Sequence, residues 1–266
     1  VECFRHCWRA DEPIGTVVLV HGTGEHHGRY EHVARYLNER GITVESGDLP
    51  GWGRSAGLKG HVGQFDDYVA VVAEWVEEAK RNAKGPVFLL GHSLGGLIVT
   101  RYIEQYASQH GLDGLILSSP CLQLKLEVSQ WKRGLAEMLN RVWPTLRLAN
   151  DIAPYHVSRD PVVQAAYISD PFNYPKVSVR WFTELLKAME HAWQDQKRID
   201  LPVLTVQAGD DYIIDADGVK RFVDGIPVAD KEYERFAGLY HEVMNEPERD
   251  VVLDRIGTWL DKKLHK

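Results

Sequence analysis

Three features of the sequence predict an α/β fold with a mostly parallel central sheet, flanking helices and an inserted helical cap. Short β-branched runs closed by glycine alternate with segments of helical periodicity. That alternation breaks once, between residues 121 and about 195, where helical patterns follow one another without an evident strand. It then resumes to the C-terminus. Alternating strands and helices favour a parallel sheet covered on both faces. With 266 residues, 44% hydrophobic and 26% charged, the chain can bury one large core, so a single domain carrying an insertion suffices. The expected division is a core of 1–120 and 196–266 and a cap, or lid, of 121–195.

The elements follow in order. Residues 16–20 are an apolar, β-rich run closed by His21 and Gly22. Tyr30, Val33, Ala34 and Leu37 recur at helical spacing and stop at Gly41, a good residue to follow a helix end. Residues 42–44 supply the next strand, and Phe65, Val69, Val72, Val76 and Ala79 mark a helix over about 64–82. A strand at 87–90 runs into Gly91, a helix leads towards Tyr106, and 115–117 is strand again. Within the cap, Val128, Trp131, Leu135, Met138 and Val142 mark a helix ending at Pro144. Asp160 and Pro161 open a short one, and Phe182, Leu185, Leu186, Met189 and Trp193 mark a third after Pro175. Strands at 203–207 and Lys231–Phe236 then precede a last helix lined by Val252, Ile256, Trp259 and Leu260, with Asn245 as its N-cap and Pro247 in its first turn.

Composition excludes several functions. The longest apolar run, 68–73, is far short of the roughly 18 residues that span a bilayer. Net charge is −7 with no basic block, which argues against nucleic acid and towards a neutral or zwitterionic ligand. Cys3, Cys7 and Cys121 form an odd set without a CxxC pair, suited neither to a disulfide framework nor to zinc. A reducing compartment, the cytoplasm, is the expectation.

Gly91-His92-Ser93-Leu94-Gly95 fits G-x-S-x-G and lies between a predicted strand and helix. That context is what the motif requires, because the glycines permit the cramped turn that projects Ser93 Oγ above the sheet. A serine hydroxyl needs a base, and the base an orienting carboxylate. His110, His156, His191, His241 and His265 follow Ser93. His241 lies on a loop after the Lys231–Phe236 strand, His156 and His191 fall in the cap, and His110 and His265 read as solvated helix-end residues. Asp210 and Asp211 follow the 203–207 strand, with Asp215 and Asp217 on the same loop; spacing alone leaves Asp210 and Asp211 as alternatives. An oxyanion hole needs the amide after the nucleophile, Leu94, and one from the loop after an earlier strand, where Thr23 stands between Gly22 and Gly24.

A metal site is the rival chemistry. His21, Glu25, His26, His27 and His32 lie close in sequence, but without helical ligand spacing and where the oxyanion loop belongs. His241-Glu242 starts an HExxH pattern that fails at Asn245. No metal and no cofactor are expected. Cys121 reads as a packed thiol.

Four segments in order, His21-Gly-Thr-Gly-Glu-His26 with Gly28-Arg29-Tyr30, Asp48-Leu-Pro-Gly-Trp-Gly-Arg-Ser55, Gly91-His-Ser-Leu-Gly-Gly96 and Gly238-Leu-Tyr-His-Glu242, resemble the monoacylglycerol lipase-like α/β-hydrolases over almost the whole chain. Segments beginning at Ser118, Lys176 and Asn245 look most like the group's bacterial lysophospholipase and phospholipase branch. The resemblance implies the α/β-hydrolase fold, Asp211 as the acid of a Ser93–His241–Asp211 triad, and a cap over an acyl tunnel. The implied activity is hydrolysis of single-chain lipid esters, with a small lipid ester as partner and no nucleic acid. Alternatives are a phospholipase or acyltransferase acting on diacyl lipids, and a catalytically silent binding protein. The apolar stripes Trp131, Leu135, Met138 and Phe182, Leu186, Met189 are expected to line the tunnel in part. Transient contact with a membrane or micelle surface through the cap is compatible with them.

Overall fold

The computed structural model describes residues 2–125, 129–150 and 152–264. Among these, seven strands form one sheet in the order β1-β3-β2-β4-β5-β8-β9: β1 is Arg5–Trp8, β2 Gly15–Val20, β3 Ile42–Gly47, β4 Val87–His92, β5 Gly114–Ser118, β8 Val203–Ala208 and β9 Lys231–Phe236. Every neighbouring pair is parallel except β1 with β3. The five strands from β3 to β8 are buried at every residue, which is why they read as apolar runs rather than alternating ones.

Side chains nevertheless divide by strand alternation. Val17, Leu19, Phe88, Leu90 and Ile116 meet α1 (Glu31–Asn38) and α9 (Arg249–Leu264) on one face. Val18, Val20, Leu89, Leu115 and Leu117 meet α2 (Asp66–Asn82), α3 (Leu94–Gln105) and α8 (Ala216–Gly225) on the other. Two-residue periodicity thus builds two cores from the same strands. Gly41, at φ 73°, closes the turn after α1 as its position predicts.

The cap lies between β5 and β8. It holds α4 (Gln130–Val142), β6 (Arg147–Ala149), α5 (Pro154–Val157), α6 (Pro161–Ser169) and β7 (Lys176–Ser178), and α7 (Val179–Asp195) leads back to the sheet. Asp160 accepts from the Val162 N–H and caps α6, and Ser178 caps α7 through the Trp181 N–H. Trp181, Leu185, Ala188 and Ala192 of α7 share one hydrophobic cluster with α2 and α3.

Several expectations need correction. The strand β1 was not legible, because its sequence Arg-His-Cys-Trp is polar and its residues half-exposed on an antiparallel edge. The cap is not strandless: β6 and β7 pair antiparallel over three residues each, too few for a periodic signal. Asn245 is not the N-cap of α9, which starts at Arg249; it ends a 3₁₀ turn and its amide donates to Glu242. Pro247 accordingly lies in the turn ahead of that helix. His110 is buried rather than solvated, paired with Asp200 and accepting from the Leu112 N–H. The α4 stripe expected to line a tunnel faces outward, with Trp131, Leu135 and Met138 at 68%, 43% and 55% exposure. Val128 and His265 lie outside the described residues. No helix among the described residues is long and apolar enough to cross a membrane.

Candidate active site

Ser93 sits between the last residue of β4 and the first of α3, at φ 52° and ψ −115°. A non-glycine residue there is strained by order of 1–3 kcal/mol, and persists only where its surroundings hold it. Here the Ser93 N–H donates to Ser118 O at 3.0 Å, while its carbonyl accepts from the Cys121 and Leu97 amides at 2.9 and 3.2 Å. Both sides of the turn are therefore pinned. The flanking glycines are required by close approach, since a Cβ at Gly91 would lie 2.4 Å from Gly95 O and one at Gly95 2.1 Å from Val20 O.

The loops after β8 and β9 bring the partners. His241 Nε2 lies 2.8 Å from Ser93 Oγ, and His241 Nδ1 lies 2.8 Å from Asp211 Oδ2. The second Asp211 oxygen accepts from the Ile213 and Ile214 amides at 2.8 and 2.9 Å, so the carboxylate is fixed by its own loop. Asp210, one residue away, is exposed. An acceptor-only carboxylate at Nδ1 places the ring proton there and leaves Nε2 to accept from the serine hydroxyl. Ser93, Asp211 and His241 are 6%, 2% and 3% exposed. Burial opposes charge on both members of the pair, yet the Asp211 charge and hydrogen bond hold His241 above its usual value, and His241 holds Asp211 below its own.

The loop after β2 lies against the serine. A Cβ at Gly22 would come 2.8 Å from Glu25 Oε1 and 3.2 Å from Ser93 Cβ, so the absence of a side chain lets this backbone lie close against the serine. Thr23 follows it, and Leu94 opens α3 at the positive end of the helix dipole. The Gly22 N–H donates to Glu25, whose carboxylate also takes the Tyr30 hydroxyl and Arg29. Arg29 reaches both Glu242 oxygens as well. This buried ionic cluster escaped the sequence reading, although Arg29 and Glu242 both stand in the segments that carry the resemblance. Burial pushes the Glu25 carboxyl up, but Arg29 and the neighbouring histidines bring it down to about 2.

The remaining histidines are dispersed or engaged. His21 has Gly22 O at one nitrogen and the Leu49 N–H at the other, and His32 pairs with Met244 O. His26, His27 and Asp48 bring ligand atoms within 4.8 Å of one another. Those atoms are occupied, with Asp48 taking the His27 ring and the His27 and Arg54 amides, and His26 bridging Asp170 and the Gly28 N–H. His191 is exposed, while His156 stacks on Tyr212 at 5.0 Å. His92, beside the site, is pushed down to about 4 by burial and by His241. The Cys121 thiol is pushed up to about 12 by burial and by Asp211, which makes it inert at neutral pH. A cleft of about 360 Å³ lined by Leu58, Trp143, Leu146, Arg147 and Tyr174 lies in the cap region and does not reach Ser93.

A serine on a strand–turn–helix elbow, a histidine and a carboxylate on later sheet loops, and glycine-bounded amides opposite define the serine hydrolases of the α/β-hydrolase fold. The model of the family described as serine aminopeptidase, S33, matches residues 11–248. The chain is 37% identical to phospholipase YtpA of Bacillus subtilis over 96% of this chain and 98% of that one. It is 34% identical to a monoacylglycerol lipase of Mycolicibacterium smegmatis over 95% and 90%. The crystal structure of Paleococcus ferrophilus monoacylglycerol lipase superposes with a TM-score of 0.90 at 34% identity, covering 99% of this chain and 100% of that one. The protein belongs to this α/β-hydrolase family, on the branch that holds monoacylglycerol lipases and phospholipases.

Proposed function

We propose that the protein is a serine carboxylester hydrolase acting on single-chain lipid esters, monoacylglycerols or lysophospholipids. The observation that carries this reading is the hydrogen-bonded line from Ser93 Oγ through His241 to Asp211, with Ser93 held at φ 52° on the strained turn between β4 and α3. Ser93 Oγ attacks the ester carbonyl while His241 Nε2 takes its proton; the carbonyl oxygen becomes an oxyanion held by the Thr23 and Leu94 amides. Collapse expels the alcohol, which takes the proton from His241. Water repeats the sequence on the acyl-enzyme and releases the fatty acid, restoring Ser93. Asp211 keeps the imidazole in the reactive tautomer throughout.

Lipid as substrate is supported by the relatives' activities and by the outer face of α4. Trp131, Leu135, Met138 and Val142 form an exposed apolar stripe continued by Trp143, with Arg141 beside it. Such a face suits shallow insertion at a lipid interface, so the cap would meet the membrane or micelle that holds the substrate. Residues 121–195 form the inserted unit in this reading. With no disulfide joining Cys3, Cys7 and Cys121, a reducing, cytoplasmic setting fits.

The test is a fluorophosphonate probe followed by intact mass, then a panel of monoacylglycerols, lysophospholipids, diacyl phospholipids and short aryl esters. One adduct at Ser93 and preference for single-chain esters is the expected result. Absence of an adduct sinks the hydrolase; preference for diacyl lipids moves the enzyme to the phospholipase reading.

A further inference from the structure

Two carboxylates and one guanidinium lie buried beside the site, where the mechanism above gives them no task. Glu242 directly follows His241, and Glu25 lies two residues after Thr23. Glu25, Glu242 and the Arg29 side chain are 1%, 4% and 9% exposed. Arg29 Nη1 stands 2.6 Å from Glu25 Oε2 and 2.6 Å from Glu242 Oε1, and Nη2 stands 2.7 Å from Glu242 Oε2. The outer ends are tied too: Glu25 Oε1 accepts from the Gly22 N–H at 2.6 Å and the Tyr30 hydroxyl at 2.6 Å, and Glu242 Oε2 from Asn245 at 3.0 Å.

We propose that Glu25, Arg29 and Glu242 form a positioning unit that sets the spacing between the oxyanion loop and His241 and lends negative charge to the imidazolium formed in each half-reaction. The inference rests on the assignment of Ser93 and His241 given above. Its geometry is a single fork spanning 213 residues of sequence: one end holds the amide before Thr23, the other the residue after His241. Its electrostatics follow from two acids sharing one base. Removing three charges from water costs several kcal/mol per ion, and apolar side chains of equal volume would fill the same space without that cost. The charges of Glu242 and Glu25 both act to raise the His241 pKa, after Asp211.

The experiment measures the rate of fluorophosphonate labelling of Ser93 against pH, with kcat and KM on a short soluble ester, for wild type, Glu242→Gln and Arg29→Lys. Glu242→Gln keeps the shape and removes one negative charge, so His241 loses its proton at lower pH and the acid limb moves down by about half a pH unit. kcat should fall about tenfold with KM within about twofold. Arg29→Lys, whose point charge cannot span both carboxylates, should lower kcat by about 10- to 100-fold while thermal unfolding stays cooperative. Should Glu242→Gln fail to fold, Arg29→Lys decides by the same split of kcat from KM. A lowered melting temperature with unchanged kcat and acid limb would make the cluster mere packing and overturn the proposal. An unlabelled wild type would instead overturn the assignment of Ser93, and this inference with it.

Discussion

Asp210 and Asp211 differ by one position and by almost everything physical. Asp211 is buried, accepts two amides of its own loop and faces His241, whereas Asp210 is exposed. Asp211→Asn should therefore lower turnover by about 10⁴ by disturbing the imidazole tautomer, and Asp210→Asn by less than about tenfold, since surface changes perturb little. Steady-state kinetics on a short ester checks both; the reverse ranking would reassign the acid. Ser93→Ala should remove about 10⁶ of turnover while the fold survives. His241 must be neutral to accept the serine proton, and its pKa is raised from 6.5. Activity should thus decline with falling pH along an acid limb that lies above 6.5, as a kcat/KM profile of the free enzyme will report. Chelation by EDTA should leave the rate unchanged; loss restored by zinc would revive the histidine cluster. At this scale the sequence was most informative where a residue type has few uses: G-x-S-x-G has one strained geometry to serve. The choice between two adjacent aspartates was not legible from spacing, because a one-residue shift on a loop leaves no periodic trace. Arg29 and Glu242 were visible as letters, but pairing across 213 positions is a property of the folded sheet.

Helices and strands show the same rule at the next scale. The five inner strands were legible because burial on both faces demands uninterrupted β-branched runs, and β1 was not because an edge strand tolerates Arg5 and His6. α7 illustrates the limit of periodicity: its apolar spacing was read correctly as a helix but not as one that seats Trp181 and Leu185 against α2 and α3. That packing traps Glu104 of α3, fully buried, with Arg101 on one oxygen and the other oxygen unpartnered. Burial dominates and, despite Arg101, pushes the carboxyl up to about 8. The folded state then holds a proton that an unfolded chain releases near 4.5, so the contribution to stability is full below that value and is lost as pH rises towards 8. Glu104→Gln should melt above wild type at pH 9 and show no such gain at pH 5, as thermal unfolding across pH will test. For α4, Leu135→Glu with Met138→Glu should cut hydrolysis of vesicle-borne monoacylglycerol several-fold and leave a soluble short ester unaffected. Equal loss on both substrates would remove the interfacial role.

On the scale of the whole molecule, the proposed reading gives the cap the task of deciding how much of a lipid the enzyme senses. Each methylene buried on binding should add about 0.8 kcal/mol, roughly fourfold in kcat/KM, until the available space is full. A series of 1-monoacylglycerols below their aggregation limits, set beside matched triacylglycerols, measures this; a flat profile would leave only a general esterase. The site itself closes late in the chain's own history. β5 and β8 are hydrogen-bonded neighbours, Leu115 opposite Val203, yet the entire cap is threaded between them. Contacts so remote in sequence are among the last a folding chain can form, because the entropy of the intervening loop must be lost first. Ser93 lies before that joint, and Asp211 and His241 lie after it. A ribosome-bound chain that has emerged only through the cap carries the serine elbow but neither base nor acid, and cannot attack the lipids around it. Hydrolytic competence is thereby postponed until the segment carrying Asp211 and His241 has joined the sheet, and the first covalent capture of Ser93 during refolding would time the moment at which the two halves of the sheet meet.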